Sequence, residues 1–159
     1  MDYEKIGNND YNIFHRLLED YYRDGEDADT PQSELDDFIQ LLFGMILEHK
    51  IEGCFAKKDG VPIGFVLWAI DTEALPFSEI SGAGTILEIG VIPAFRSSGF
   101  GSQIALYAEK QIISRGITLC YVSAYGPAQE FWAKCGYVFN GSTASNGLPI
   151  MVKDITVSG

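Results

Sequence analysis

This sequence has few cysteines, few histidines and little positive charge, and each shortage removes a class of function. Its three cysteines, Cys54, Cys120 and Cys135, are unevenly spaced. That argues against a disulfide framework and against a zinc site, and no metal is expected. Each lies in an apolar stretch and reads as a small buried hydrophobe. Cys135 as a nucleophile is disfavoured, because no histidine is close to it in sequence. The two histidines, His15 and His49, fall on helical segments, where a satisfied or solvated ring is the default. Eleven Lys and Arg stand against 22 Asp and Glu, a net charge of −11. Nucleic acid needs basic surface, so it is not an expected partner. Cationic small molecules are permitted, and their approach would be steered. No apolar run approaches the roughly 18 residues that would span a bilayer. The opening Met1-Asp2-Tyr3-Glu4-Lys5 lacks the basic-then-apolar order of a signal peptide. A cytoplasmic location and no membrane partner are the expectation.

What is present is a globular composition. The chain has 159 residues, 47% of them hydrophobic, which is enough for one domain (1–159) with a core. Residues 3–6 read as a short strand. Tyr11, Phe14, Leu17, Leu18 and Tyr21 recur at helical spacing over residues 10–24, with Asp10 as the expected N-cap. Thr30-Pro31 opens a second helix, with Thr30 as N-cap and Pro31 in the first turn. Its apolar stripe runs from Leu35 to Leu47. Two apolar runs, 52–58 and 62–70, are joined by Asp59-Gly60, a hairpin signal. Residues 71–84 form an irregular connection, and 85–92 a strand. A helix over 102–115 is closed by Gly116. A strand over 117–123, a short helix over 127–134, and strands over 137–140 and 150–155 complete the chain, with 141–147 as the last turn. That order describes a single mixed α/β domain, with no internal repeat or linker.

Between the strand ending Ile89-Gly90-Val91-Ile92 and the helix from Ser102 lies Arg96-Ser97-Ser98-Gly99-Phe100-Gly101. Strand, Gly-containing turn and helix form an anion site, because the first-turn N–H groups have no partner inside the helix and the dipole adds about half a positive charge there. Gly99 and Gly101 lack a Cβ, so a ligand can approach the backbone. The expected guest is a pyrophosphate. A P-loop is excluded, since no Lys follows Gly101. A dinucleotide fingerprint fits poorly, since Ile104 stands where its last Gly belongs.

The remaining pattern, R-x-x-G-x-G after a strand ending in V-x-P, fits Val91, Pro93, Arg96, Gly99 and Gly101. It resembles the GNAT superfamily of acetyl-CoA-dependent N-acetyltransferases. Gly60-Val61-Pro62-Ile63-Gly64-Phe65-Val66-Leu67 upstream resembles the family's G-x-x-V-G-F hairpin. Ala128-Gln129-Glu130-Phe131-Trp132-Ala133-Lys134-Cys135-Gly136-Tyr137 downstream resembles its A-x-x-[FL]-Y-x-x-x-G-[FY] segment. The three segments come in the family's order and cover residues 52–140. The resemblance implies a twisted, mainly antiparallel sheet flanked by helices, with splayed central strands. It implies acetyl-CoA as cosubstrate. The pyrophosphate would lie on the N–H groups of Ser98 to Ser102, with Arg96 adding charge and Ser97, Gly99, Phe100 and Gly101 shaping the turn. The pantetheine would run along Ile89, Gly90 and Val91, with Phe131 as a further contact. The Val91 N–H would hold the oxyanion.

The reaction implied is direct attack of an amine on the thioester. At pH 7 only roughly one primary amine in 2,500 is neutral, so a proton acceptor is needed. Glu88, a carboxylate on an otherwise apolar strand, is the candidate, and burial would raise its pKa. A solvent-facing or structural role is the competing reading. At the family's usual general-acid Tyr position stands Trp132, which has no acidic hydroxyl. Tyr125 is the substitute named here, with Tyr137, expected in the core, and water as alternatives. Nine acidic residues, Glu19, Asp20, Asp24, Glu26, Asp27, Asp29, Glu34, Asp36 and Asp37, against Arg23 alone give residues 19–37 a local charge of −8. In this family that region covers the acceptor, so a polyamine, an aminoglycoside-like amine or a basic peptide terminus would suit it. Solvated capping charge is the bland alternative. A non-catalytic acyl-CoA sensor on the same fold is the second functional reading, an acidic interaction protein without cofactor the third, and a homodimer is a possibility.

Overall fold

A computed structural model describes residues 1–25 and 27–156. Glu26 of the acidic run lies outside the described residues. Strand β1 (Asp2–Lys5) leads through a 3-10 turn (Asn8–Asp10) into α1 (Tyr11–Arg23) and then α2 (Gln32–Leu47). There follow β2 (Glu52–Lys58), β3 (Val61–Ile70), β4 (Gly84–Val91), α3 (Phe100–Ile113), β5 (Leu119–Ser123), α4 (Gln129–Lys134), β6 (Val138–Thr143) and β7 (Pro149–Asp154). The seven strands form a sheet in the order β1-β2-β3-β4-β5-β7-β6. β1/β2, β5/β7 and β6/β7 pair antiparallel, while β4 and β5 pair parallel. The parallel register sets Gly84 opposite Cys120 and Thr85 opposite Tyr121, the first two residues of β4. The architecture is the expected mixed, mainly antiparallel α/β fold.

The chain divides into two compact units. One comprises Met1–Leu67 and Glu88–Ile104, the other Trp68–Leu87 and Ala105–Gly159. In the first, α1 buries Phe14, Leu17, Leu18 and Tyr22, and α2 buries Leu35, Ile39, Leu42 and Ile46. These positions recur every three or four residues, so each helix turns one stripe inward. The stripes meet through Phe14 and Phe43, whose ring centroids are 5.4 Å apart. The α1–α2 connection is held by Arg23, which donates to the carbonyls of Asp27, Ala28 and Thr30. The β2–β3 turn has positive φ at both Asp59 (52°) and Gly60 (79°), as a two-residue hairpin of matching twist requires.

The second unit pairs several buried polar groups, while Trp68 Nε1 and Asp71 Oδ1 are buried there without a partner. Asp71 Oδ2 accepts from the Tyr121 hydroxyl at 2.5 Å and from the amides of Glu79 and Ile80, which ties down the β3–β4 connection. Burial works to raise the Asp71 carboxyl, but these hydrogen bonds outweigh it and hold the group below its usual value. Glu109 on α3 takes the Lys153 ammonium at 2.8 Å and the Tyr137 hydroxyl at 2.9 Å.

Asp10 is the N-cap of α1 as expected, but its carboxylate makes no cap bond there; it accepts from the Gly7 amide at 2.7 Å and closes the 3-10 turn. Pro31, not Thr30, is the N-cap of α2, and the Thr30 hydroxyl turns back to Asp27. α3 begins at Phe100, two residues before the expected start, so part of the glycine turn is already helical. β6 also runs on to Thr143, through Gly141 at φ 86° and an irregular register, where a turn was expected.

Candidate functional site

The site is built from the far end of β4 and the turn after it, both in the first unit. Gly64 on β3 and Gly90 on β4 are buried and face each other across the two strands: a Cβ on Gly64 would lie 2.5 Å from the Gly90 carbonyl oxygen. A Cβ on Gly90 would lie 2.5 Å from the Phe65 ring and 3.0 Å from the Tyr21 ring. The two strands and α1 therefore approach one another where neither glycine carries a side chain. Ile92 N–H donates to the Ile63 carbonyl at 2.8 Å and closes the strand pair. Here Tyr21, Phe65, Gly90, Val91 and Arg96, with Asp20 at one side, line a hollow of about 30 Å³. That volume holds little more than a water molecule, so a ligand would lie over it.

The turn after β4 is left-handed at two positions. Ser97 (φ 64°) and Gly99 (φ 81°) both adopt left-handed backbone, and nothing lies within 4 Å of a Cβ placed on Gly99. Ser98, Gly99, Phe100, Gly101 and Ser102 bring the backbone into the first turn of α3, the end of a helix that favours negative charge. Arg96 is exposed; its Nε donates to the Val91 carbonyl at 2.8 Å and its Nη2 lies 3.3 Å from Asp24 Oδ2. Lys58, at the end of β2, stands over the rings of Phe100 and Phe95, 5.1 and 5.7 Å from their centroids. It brings a second positive charge to the turn through cation–π contact.

Ile89 and Val91 are half-buried beside Gly90. Glu88 is half-buried, and Tyr22 in the last turn of α1 faces it. Burial, then the Glu88 carboxylate, pushes the Tyr22 phenol well above its usual pKa, so it keeps its proton at any working pH. The acidic run is less free than its charge suggests. Asp36 holds His15 Nε2 at 2.7 Å, Glu19 accepts from Gln32, and Asp24 meets Arg96. The His15 hydrogen bond is the main reason that the Asp36 carboxyl lies below its usual value.

The other expected residues belong to the second unit. Tyr125 is half-buried and its carbonyl starts the 3-10 turn (Gly126–Ala128) that leads into α4. Phe131 is half-buried, its ring edge-on to Trp132 at 4.9 Å. Trp132 is 5% exposed and packs edge-on against Tyr137 at 5.1 Å, so the position where the family places a hydroxyl is a core contact here. Tyr137 is 1% exposed and donates to Glu109; burial raises its pKa far above the usual value. Burial likewise pushes the Cys120 thiol up to about 12, which makes it inert at neutral pH. Among the described residues no group of three or more His, Cys, Asp or Glu could hold a metal ion. No helix among them is long and apolar enough to cross a membrane.

Lys58 and Phe65 were not among the expected site residues. Phe65 had a signal, since it follows Gly64 in the hairpin segment. Lys58 had none, because a lysine at a strand end reads as solvated. Asp20 and Asp24 were expected as part of the acidic run over the acceptor.

With this geometry in view, the relatives can be set beside it. Solved structures share the fold at low identity. A GCN5-related N-acetyltransferase from Ralstonia eutropha is 23% identical over 89% of this chain and 95% of its own, with a TM-score of 0.73. PaiA N-acetyltransferase from Thermoplasma acidophilum, solved with coenzyme A, is 16% identical over 97% and 99%, with a TM-score of 0.70. The aminoglycoside 6'-N-acetyltransferase from Enterococcus faecium is 16% identical over 100% and 99%, with a TM-score of 0.66. No curated protein matches the chain. The acetyltransferase (GNAT) family model matches residues 11–137, a stretch that takes in α1, the two glycine-faced strands, the anion turn and the Trp132 segment. By that match the chain belongs to the acetyltransferase (GNAT) family and is an acyltransferase.

Proposed function

We propose that this enzyme moves the acetyl group of acetyl-CoA to a primary amine of a small cationic acceptor by direct attack, with residues 1–159 acting as one catalytic domain. The observation that carries the reading is Gly90 near the end of β4, followed beyond the 3-10 turn Pro93–Phe95 by a left-handed turn with two cations beside it. Acetyl-CoA fits these residues. Its pyrophosphate suits the N–H groups of Ser98 to Ser102, with Arg96 and Lys58 supplying charge. Its pantetheine suits the backbone of Ile89, Gly90 and Val91, and Phe131 is a further contact on family resemblance.

When bound, acetyl-CoA supplies the thioester carbonyl that the amine attacks. Glu88 accepts the proton that the ammonium must lose, directly or through water. The Val91 N–H holds the negative charge that develops on the carbonyl oxygen, a contribution of roughly 3 kcal/mol for such donors. Tyr125 or water protonates the departing thiolate, because Trp132 has no acidic proton and Tyr137 is committed to Glu109. Asp20 at the hollow and the remaining free acidity of the α1–α2 region favour a cationic acceptor such as a polyamine, an aminoglycoside-like amine or a basic peptide terminus. A cytoplasmic place and a homodimer go with this reading.

Trp132 in the core favours a second reading, a non-catalytic acyl-CoA sensor. Thermal unfolding with acetyl-CoA, CoA and NAD tests the site. Saturation at about a thousand times Kd should add roughly 4 kcal/mol with the first two and nothing with NAD. Thiol release with a panel of amines then separates the readings. Turnover supports the enzyme, and binding without turnover of any amine leaves the sensor.

A further inference from the structure

We propose that Arg96 is a strap that ties the free site to Asp24, and that the pyrophosphate of the cofactor opens it by taking Arg96, which releases the Asp24 carboxylate to the cationic acceptor. The proposal deepens the reading above and rests on acetyl-CoA as the cofactor.

Two contacts make the strap. Arg96 Nε donates to the Val91 carbonyl at 2.8 Å, and Nη2 donates to Asp24 Oδ2 at 3.3 Å. One guanidinium thus joins the last residue of β4 to the residue that follows α1, and Arg96 lines the hollow with Tyr21 and Gly90. Both contacts occupy groups that the cofactor would use. The Val91 carbonyl belongs to the strand backbone that suits the pantetheine, and Arg96 is a charge that suits the pyrophosphate. Asp24 is not placed for the sake of its helix. Its backbone N–H caps the C-terminal end of α1, where the dipole disfavours a carboxylate. Arg23 beside it turns its guanidinium to the carbonyls of Asp27, Ala28 and Thr30 and to Gln32. The cation that meets Asp24 comes instead from 72 residues away.

Exposure and charge make the exchange feasible. The Arg96 and Asp24 side chains are 44% and 54% exposed, and an ion pair in water is weak enough to be displaced. A phosphate offers the guanidinium two parallel acceptors, a better match than one carboxylate oxygen. Once Arg96 has turned to the phosphate, Asp24 keeps its charge but loses that cation. It stands one helical turn from Asp20, which lines the same hollow. An ammonium group can then take the place of the guanidinium. The carboxylate is therefore masked before the cofactor binds and open to the acceptor afterwards. Linkage makes the effect reciprocal: the cofactor strengthens binding of the acceptor, and an acceptor held at Asp24 strengthens binding of the cofactor.

The test uses the full chain as wild type, Asp24→Asn, Arg96→Gln and the double variant, with calorimetric binding of CoA and of spermidine as the probes. Asp24→Asn should bind CoA about threefold more tightly than the wild type, and the free protein should melt as the wild type does, since the pair is exposed. In the Arg96→Gln background the same change should leave CoA affinity where it was. A carboxylate that merely repels the cofactor would tighten CoA with or without Arg96, and that result overturns the proposal. Equal CoA affinity in wild type and Asp24→Asn overturns it too. Saturating CoA should raise the spermidine affinity of the wild type about threefold more than that of Asp24→Asn. An equal rise in both, or no spermidine binding to the CoA-saturated wild type, overturns the release of Asp24 to the acceptor. A wild type that does not bind CoA overturns the cofactor reading itself, and the strap with it.

Discussion

Gly84 and Gly90 lie on one strand, and a Cβ is excluded at both, yet the two exclusions serve different ends. At Gly84 the obstacle is Ile112 of α3, whose Cγ2 would lie 2.4 Å away: the glycine lets a helix sit on the sheet. At Gly90 the obstacles are the rings of Phe65 and Tyr21, and the same residue lines a hollow with Val91 and Arg96. The second unit also ties Asp71 to Tyr121, and Glu109 to Lys153 and Tyr137, while Trp68 Nε1 and Asp71 Oδ1 are buried there without a partner, as the Tyr22 hydroxyl is in the first.

That contrast can be broken from either side. The largest expected effect is on rate: Glu88→Gln should lower kcat by about 10²–10⁴-fold while the melting temperature and the CoA-induced shift stay as in the wild type. Steady-state kinetics and a melting curve suffice to check it. Glu109→Ala should do the reverse. It strands the Lys153 ammonium and the Tyr137 hydroxyl in a buried place, at a cost of about 3–5 kcal/mol in denaturant unfolding, with the amine specificity of the folded enzyme unchanged. A matched pair sharpens the comparison further. Gly84→Ala and Gly90→Ala should each cost about 1–3 kcal/mol through overpacking, but only Gly90→Ala should also abolish the thermal shift with CoA.

Acid should act on the second unit through Asp71. Its carboxyl is held below the usual value, so its contribution to stability is full above the unfolded value of about 4 and is lost as pH falls through the lower folded value. Melting temperatures of Asp71→Asn should therefore fall less steeply than those of the wild type across that acid window, from a lower start. The smallest effect belongs to Lys58→Ala, which should weaken CoA several-fold, and less so at high salt, without touching stability.

Much of the fold could be read in advance because periodicity is local. The α1 and α2 stripes, the Asp59-Gly60 hairpin and the Gly116 stop each follow from neighbours a few residues apart, and all of them are present. The cap of α2 was misread because the Thr30 hydroxyl had a second local partner in Asp27, and sequence spacing does not rank the two. The glycine turn was legible because Gly99 serves backbone geometry that few other residues adopt as easily.

Composition and order alone determined the mixed α/β class, the acidic surface and the place of the glycine turn, because these depend on residue type and short-range spacing. Only the tertiary structure decided which tyrosine faces Glu88, that Trp132 is a core ring, that Gly64 stands against Gly90, and that Arg96 and Asp24 meet across 72 residues of chain. Those pairings join segments far apart in sequence, and the chain brings them together only when the strands and helices that carry them pack.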